Sequence, residues 1–338
     1  MILRETGLAL LAALTLGGCD RSTSPATDAP PGMVWVPGGR FMMGGSDPHA
    51  NAAEQPVHEV SVDGFFMDVN VVTNDEFQAF VDATHYVTVA ERAPTEEEIL
   101  SQLPPGAPRP DAASLVAGSV VFAPTHEPVS LDDPSQWWRF IPGASWRRPQ
   151  GPESNLDGKG RYPVVHVSWA DARAYLEWKH ERLPTEAEWE FAARGGRARA
   201  VYTWGDEPFD PAHPQANIYQ ARFPTEAAEP RPVGSFPATG FGLHDMAGNV
   251  WQWTSDWYAP DTYARDAERG AVRNPTGPDT SGATPLRVLR GGSYLCNDSY
   301  CRGYRVSARS PGDSASGASH IGFRGVMSRE QWLTRRHN

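Results

Sequence analysis

Three features are scarce in this chain of 338 residues. It has only three cysteines, it has no cluster of Lys or Arg, and its apolar run from Leu8 to Leu16 is too short to span a bilayer. The missing basic cluster and the net charge of −11 argue against a nucleic-acid partner. Two cysteines without a second pair nearby supply only half of a structural zinc site, so zinc is disfavoured as well.

The composition is that of a folded, loop-rich protein. Hydrophobic residues make up 40% of the chain and charged residues 21%, enough to bury a core. The 32 Gly, 31 Pro and 12 Trp indicate irregular structure anchored by aromatic rings. We find no repeats and no dividing linker between Gly32 and Val326. The sequence therefore predicts a single α+β domain with little regular secondary structure, over residues 32–328.

The N-terminus has the pattern of an export signal. Residues 1–19 end in the letters LGGC, which resemble the site cut by the lipoprotein signal peptidase and would leave Cys19 to be acylated. Residues 20–31 are polar and Pro-rich, which indicates a flexible linker. We expect a lipid anchor on the periplasmic face of the cell envelope, and Asp20 resembles an inner-membrane retention signal. The alternatives are an ordinary signal peptide, or a true start at Met33 and a cytoplasmic protein.

Local signals predict several elements. Short strands are expected at 33–37, 41–43 and 57–62. Three helices are predicted by capping boxes: Thr73 with Glu76, Ser168 with Asp171, and Thr185 with Glu188. Residues 94–160 are irregular but contain three Trp, so we expect this stretch to be pinned to the body. Residues 202–326 show short strands and loops and no helical period.

Two cysteines, Cys296 and Cys301, are separated by four residues near the end of the domain. Their spacing alone favours a structural disulfide, although so short a loop would add little stability. The other hypothesis is a metal or redox site, because two thiolates are soft donors that suit Cu(I). On a helix these positions would point about 140° apart, so both sulfurs could face one ion only on a bent loop. The flanking Gly291-Gly292 and Gly303 favour such a loop.

Several segments of the chain resemble the formylglycine-generating enzymes, also called sulfatase-modifying factors. They occur in the order of that family: GMVWVPGGRFMMGG (32–45), ASWRRPQGPES (144–154), HVSW (166–169), RLPTEAEWEFAARGG (182–196), GFGLHDMAGNVWQWTSDW (240–257), RVLRGGSYLCNDSYC (287–301) and IGFR (321–324). Together they span nearly all of residues 32–326. Several are shared with relatives that are not oxidases. The cysteine pair and the ASWRRPQGPES segment separate the oxidases from those relatives.

The resemblance implies a fold related to C-type lectins and a specific reaction. Members of the family use O2 and one copper ion to oxidise the cysteine of a Cys-x-Pro-x-Arg stretch in an unfolded sulfatase to Cα-formylglycine. By position, Cys296 and Cys301 would hold Cu(I), and the substrate thiolate would join as a third sulfur ligand. Ser293 and Trp251 match residues that line the oxygen pocket, and Tyr300 would help to shape it. Taken alone, Ser293 is a turn hydroxyl and Trp251 a core ring. We expect a monomer.

The resemblance also implies structural calcium. One site would use side-chain and backbone oxygens of Asp245, Gly248, Val250 and Gln252, a donor set that suits a hard cation. Other members have an acidic residue where this chain has Gln252, and Asp245 is charged where relatives often have Asn. A second site would use backbone oxygens of Asn217 and Ile218, beside a shortened loop. Without calcium, Gly248 would be part of a plain turn.

Extra structural cysteines of eukaryotic members are replaced in this chain. The corresponding positions hold Leu176, Ala193, Val306 and Gly325, while the C-x4-C pair is kept. A chain that used cysteine only for stability would not be expected to show that pattern.

Two other functions remain open from the sequence. The first is a non-catalytic, lectin-like binding module of the envelope, in which Cys296 and Cys301 form a disulfide. The second is a different modifying enzyme of the same superfamily, although the chain lacks the His-rich helical domain of the sulfoxide synthases. A hydrolase has no support, since Ser293 has no recognisable His/Asp partners. His166 is expected to be a buried, satisfied histidine.

Overall fold

The computed structural model describes residues 29–100, 106–282 and 284–337. The predicted signal peptide, Cys19 and most of the linker lie outside the described residues, so the structure does not test them. Within the described ranges, no helix has both the length and the apolar character needed to cross a membrane.

The described part of the chain forms twelve short strands and six α-helices. The strands are β1 (Met33–Val36), β2 (Gly39–Met43), β3 (His58–Val62), β4 (Phe65–Asp68), β5 (Gly118–Phe122), β6 (Trp138–Pro142), β7 (Trp251–Trp257), β8 (Val272–Arg273), β9 (Leu286–Arg290), β10 (Arg309–Asp313), β11 (Ile321–Gly322) and β12 (Val326–Ser328). The helices are α1 (Asn74–Thr84), α2 (Glu96–Leu100), α3 (Trp169–Trp178), α4 (Glu186–Arg194), α5 (Thr262–Glu268) and α6 (Arg329–His337). The prediction of an α+β domain with little regular structure is confirmed.

The strands build three small sheets and one separate hairpin. The orders are β1-β4-β12, β2-β3-β8 and β10-β9-β7-β11, and the hairpin is β5-β6. In the four-stranded sheet β7 runs antiparallel to β9, with Gln252 opposite Arg290. Strand β9 ends at Arg290, so the segment with the two cysteines begins directly after this sheet, at Gly291.

The three predicted capping boxes are all present. Thr73, for example, accepts from the backbone N–H of Glu76, whose carboxylate accepts in return from the N–H of Thr73. Helix α4 ends at Gly195, which has the left-handed φ of 56° that favours glycine. Residues 202–326, which show no helical period in the sequence, nevertheless contain helix α5. Helix α5 has seven residues, too few for a clear period, and forms because buried Tyr263 packs into the core.

Aromatic rings anchor the core, as the composition predicted. Trp146, Trp189 and Trp253 have no exposed surface, and Phe77 packs edge-on against Trp146 with ring centres 5.1 Å apart. The stretch 94–160 is pinned to the body, as expected, since it supplies the β5-β6 hairpin and the fully buried Trp137.

Two of the replaced cysteine positions meet in the structure. A Cβ atom on Gly325 would lie 2.7 Å from Cδ2 of Leu176, so the two residues are in contact. The same point lies 2.3 Å from a carboxylate oxygen of Glu181 and 3.0 Å from one of Asp68. The small glycine therefore leaves room for two buried carboxyl groups side by side.

Candidate functional site

A tight turn after β9 brings the two cysteines together. The side-chain oxygen of Asn297 accepts hydrogen bonds from the backbone N–H groups of Ser299 and Tyr300, both 3.1 Å long. This arrangement is an Asx-turn, in which an Asn side chain bonds the backbone of the following residues, and it reverses the direction of the chain. The N–H of Cys301 then donates to the carbonyl of Asn297 at 3.1 Å. The Cα atoms of Cys296 and Cys301 end 4.5 Å apart.

The prediction of a bent loop that converges the two sulfurs is confirmed. The structure has the pair joined as a disulfide, however, and not as the reduced dithiol expected of a copper site. The physical reason is the close approach of the Cα atoms, which falls within the range that a disulfide bridges. Whether the pair binds copper in its reduced form remains a prediction.

The two cysteines differ in exposure. Cys296 is 1% exposed, whereas Cys301 is only partly buried at the edge of the same apolar cluster. The chain passes very close to itself here, since a Cβ on Gly292 would lie 2.6 Å from the backbone nitrogen of Tyr304. Gly292 also has a φ of 70°, so both space and backbone conformation require glycine. The pair is therefore open to solvent on the Cys301 side only.

Trp251 and Ser293 lie beside the pair in buried positions. The Trp251 ring lies against Gly303, where a Cβ atom would come within 2.4 Å of it. Ser293 has no exposed surface, and its hydroxyl oxygen accepts from the N–H of Leu295 at 3.2 Å. Both residues thus have the structural roles of core ring and turn hydroxyl. Their assignment to an oxygen pocket remains a prediction.

Aromatic rings lie near Cys301. Tyr300 lies parallel to Phe223 with ring centres 4.1 Å apart, and it meets Trp137 edge-on at 5.4 Å. Tyr202 stacks on Tyr304 with ring centres 5.8 Å apart, and both rings belong to the apolar cluster that Cys301 packs against. Since Tyr300 is 36% exposed, the site presents a flat apolar face to solvent directly beside the accessible cysteine.

A buried network of charges fixes the start of the turn. The Arg290 guanidinium donates to Glu186 at 2.8 Å, and to Glu190 and the carbonyl of Val306 at 2.6 Å each. Burial alone would raise the pKa of Glu190, but the charges of Arg194 and Arg290 outweigh it and lower that pKa. Arg290, the residue before Gly291, is therefore held to helix α4 by two buried ion pairs.

The residues proposed for the first calcium site do not fit that ion. The side-chain oxygen of Gln252 accepts from Trp189 Nε1 and Arg324 Nε, and its amide nitrogen donates to the carbonyl of Asp245. The Asp245 carboxylate accepts from the N–H of Gly234 at 2.9 Å. The expected role of Gln252 as a calcium ligand has no support in these contacts, because both ends of its amide already have protein partners. Gly248 and Val250 adjoin this cluster and offer only backbone oxygens.

The second proposed calcium site is no better supported. The carbonyl of Asn217 accepts from the N–H of Asn249 at 2.8 Å and lies against the Cα of Gly248, where a Cβ would be 2.3 Å away. Ile218 is buried next to it in the apolar core. Across the described ranges, no group of three or more His, Cys, Asp or Glu side chains is placed to hold a metal ion.

Sequence reasoning missed several residues that shape the site. Arg290 and Glu186 lie in recognised segments, but their pairing across 104 positions leaves no local signal. Phe223 lies in a Pro-rich stretch that suggested only a shortened loop. His166 was interpreted correctly: it is fully buried, with hydrogen bonds to Ser119 Oγ at 2.8 Å and to the carbonyl of Pro149 at 2.9 Å.

The fold of the chain resembles folds among the solved structures. It resembles the solved structure of PvdO from Pseudomonas aeruginosa, with a TM-score of 0.57 and 25% identity over 88% of this chain and 94% of the other. It also resembles Treponema denticola variable protein 1, with a TM-score of 0.53 and 19% identity over 87% and 94% of the two chains. The second likeness shows the fold alone.

Sequence comparison then identifies the family. The model of the sulfatase-modifying factor enzyme 1-like domain matches residues 20–329, and this chain belongs to that family. It is 43% identical to the formylglycine-generating enzyme of Thermomonospora curvata over 301 residues, covering 87% of this chain and 92% of the relative. The Mycobacterium tuberculosis enzyme of the same name is 44% identical over 87% and 97%. A mouse relative described as inactive is 37% identical over 88% and 86%.

Proposed function

We propose that this protein is an oxidoreductase that converts the cysteine of a Cys-x-Pro-x-Arg stretch in unfolded sulfatases to Cα-formylglycine, with O2 as the acceptor. The convergence of Cys296 and Cys301 at the two ends of one turn carries the proposal. Relatives named formylglycine-generating enzyme, at 43–44% identity over most of the chain, support it. The inactive mouse relative shows that family membership by itself does not decide activity.

The reduced pair fits a copper ion by the chemistry of its donors. Two thiolates at the two ends of one turn form a soft, low-coordinate site, which suits Cu(I) and not a hard cation. Copper bound there would supply the activation of O2 for oxidation of the substrate carbon. Cys296 would hold the buried side of the site, and Cys301 the side that solvent and substrate reach. Trp251 and Ser293 would exclude water from the buried side.

The aromatic face beside Cys301 suits a peptide that contains proline. The exposed ring of Tyr300 is held rigid by its stack on Phe223 and its contact with Trp137. A rigid ring loses little conformational entropy when a proline ring packs on it. The client therefore has to be unfolded, because an extended segment must lie against this face while its thiol reaches Cys301.

Because the structure has a disulfide, a test of the activity has to begin with reduction of the protein. Cys296 and Cys301 have to be reduced before they can supply thiolates. The purified, reduced protein is loaded with one equivalent of Cu(I) and incubated in air with a peptide containing Cys-x-Pro-x-Arg. Mass spectrometry of the peptide is expected to show the aldehyde product. No aldehyde from the reduced, loaded protein would refute the proposal.

Two variants sharpen that experiment. Cys301→Ala is expected to abolish the product and tight Cu(I) binding while the protein still unfolds cooperatively. Cys19→Ala is the matched control, because it removes a cysteine outside the domain and is expected to leave the product unchanged. Equal loss of product in both variants would contradict a site formed by the C-x4-C pair.

The competing function is a non-catalytic binding module of the envelope. The disulfide in the structure favours it, since the module would keep the pair permanently oxidised. Thiol titration of the native protein after mild reduction separates the two functions. Two titratable thiols that then bind Cu(I) indicate the oxidase, and a bridge that resists the reductant and binds no copper indicates the module.

We further propose that the protein works at the cell envelope, anchored through a lipid on Cys19 and facing the periplasm. Inner-membrane retention through Asp20 would place it where sulfatases emerge unfolded from the translocon. The supporting observation is the LGGC sequence at the end of an export signal. Membrane fractionation with N-terminal mass spectrometry tests this, and a cytosolic protein that begins at Met33 would refute it.

A further inference from the structure

The side chain of Gln252 has only one possible orientation. It is fully buried on β7, and its Oε1 accepts from Trp189 Nε1 at 3.0 Å and from Arg324 Nε at 2.8 Å. Indole and guanidinium N–H groups can only donate, so an oxygen has to face them. Turning the amide over would place its NH2 group against two donors. The positions of its oxygen and nitrogen therefore follow from the hydrogen-bond partners.

The amide nitrogen must then face the opposite way. Gln252 Nε2 donates to the carbonyl of Asp245 at 2.7 Å, on the side where a calcium ion would need an oxygen. Calcium is bound through oxygen lone pairs, and an amide NH2 group has none to offer. A carboxylate at this position would differ, because one oxygen could accept from the two donors while the other faced the cation. The glutamine thus presents a hydrogen-bond donor in place of a calcium ligand.

The same amide group lies directly beneath the cysteine turn. A Cβ atom on Gly291 would be 3.4 Å from Gln252 Nε2, so the amide packs against the first residue of the turn. Through its bonds, Gln252 ties the segment of Asp245 to helix α4 at Trp189 and to the segment of Arg324. These are the connections that a structural ion would make between separate segments.

We infer that the Gln252 amide takes the place of a structural calcium ion beneath the cysteine turn, so that this chain keeps the turn in position without calcium there. Arg324 contributes to the same arrangement as a buried cation. Its other N–H groups donate to the carbonyls of His244 at 2.6 Å and Asp68 at 2.9 Å. The inference concerns stability and metal content and does not depend on the proposed oxidase activity.

The test compares the wild type with Gln252→Glu. After removal of metal with a chelator, the wild type is expected to retain its melting temperature and to bind no calcium by elemental analysis. Gln252→Glu has nearly the same shape and is expected to bind one calcium ion per chain. At calcium concentrations about a hundred times its dissociation constant, its melting temperature should rise by about 5 °C.

The control is Gln55→Glu, which adds the same charge at an exposed position. It is expected to behave as the wild type does. One equivalent of calcium on the wild type, with a rise in melting temperature, would overturn the inference. So would a Gln252→Glu variant that folds but gains no calcium, because the amide nitrogen would then not be what excludes the ion.

Discussion

Arg290 gives the sharpest test of how the cysteine turn is held. The change Arg290→Met removes a guanidinium with no exposed surface and replaces it with an apolar side chain of similar length. Glu186 keeps two hydrogen bonds from Arg309 after the change. The Oε2 atom of Glu190 and the carbonyl of Val306 lose the donor that Arg290 gave them. The variant therefore leaves two buried oxygens unsatisfied, one of which carries charge.

The expected loss of stability follows from that accounting. Removing one partner of a buried ion pair typically costs about 3–5 kcal/mol, and the remaining bonds to Glu186 favour the lower half of that range. We therefore expect Arg290→Met to lower the free energy of unfolding by about 3–4 kcal/mol. Denaturant unfolding followed by tryptophan fluorescence measures this loss. The slope of the unfolding free energy against denaturant concentration should be the same as in the wild type, which shows that unfolding is still cooperative.

The matched control is Arg173→Met at an exposed ion pair. Arg173 contacts Glu177 at 2.5 Å, but both side chains are more than half exposed, so the expected cost is below about 1 kcal/mol. A double variant, Arg290→Met with Glu190→Gln, should lose further stability, because Glu190 is also the ion-pair partner of buried Arg194 at 2.6 Å. A cost for Arg290→Met as small as that of the control would refute the view that this network positions the turn.

Three further outcomes follow from the structure. Burial, and then the charge of Asp68, raise the pKa of the Glu181 carboxyl group in the folded protein. The free energy of unfolding of the wild type should therefore fall as the pH rises from the ordinary carboxyl pKa to this raised value. Glu181→Gln should weaken that dependence and leave the part that comes from Asp68, whose pKa burial raises to about 7; denaturation at a series of pH values between about 4 and 9 will show this. Phe223→Ala removes the ring under Tyr300 and should cost about 3–5 kcal/mol in denaturant unfolding, with faster proteolysis of the cysteine turn. Thr185→Ala removes the cap of α4 and should cost about 0.5–2 kcal/mol by the same unfolding measurement.

The sequence predicted the local elements well and the contacts between them poorly. Capping boxes at Thr73, Ser168 and Thr185 were visible because each depends on two residues three positions apart. The convergence of Cys296 and Cys301 was also predictable, because the glycines around them excluded a helix. By contrast, the stack of Phe223 on Tyr300 joins residues 77 positions apart in irregular chain, and no periodicity marks such a pair.

Two other properties of the site cannot be predicted from sequence, for physical reasons. Gln252 resembles a metal ligand by its position, but its role depends on Trp189 and Arg324, which lie 63 and 72 positions away. Only the three-dimensional partners show which end of its amide faces the site. Likewise, the redox state of a cysteine pair is not encoded by spacing, because the same turn holds either a disulfide or two thiols.

Proteins with several different names share this fold, so an oxidase activity has to come from particular residues of the site. PvdO and a Treponema variable protein have this fold, and an inactive relative shares 37% of the sequence, so neither fold nor family accounts for an oxidase. In this chain the candidate site is a small set of groups on one turn: two sulfurs, an exposed ring beside them, and buried partners that hold both in place. Arg290 and Gln252 fix that turn from below with protein groups alone. The turn also has hydrogen bonds of its own, from the backbone of Ser299 and Tyr300 to Asn297, so the disulfide is not the only bond that shapes it. This is why Cys301→Ala should fold normally and still make no product.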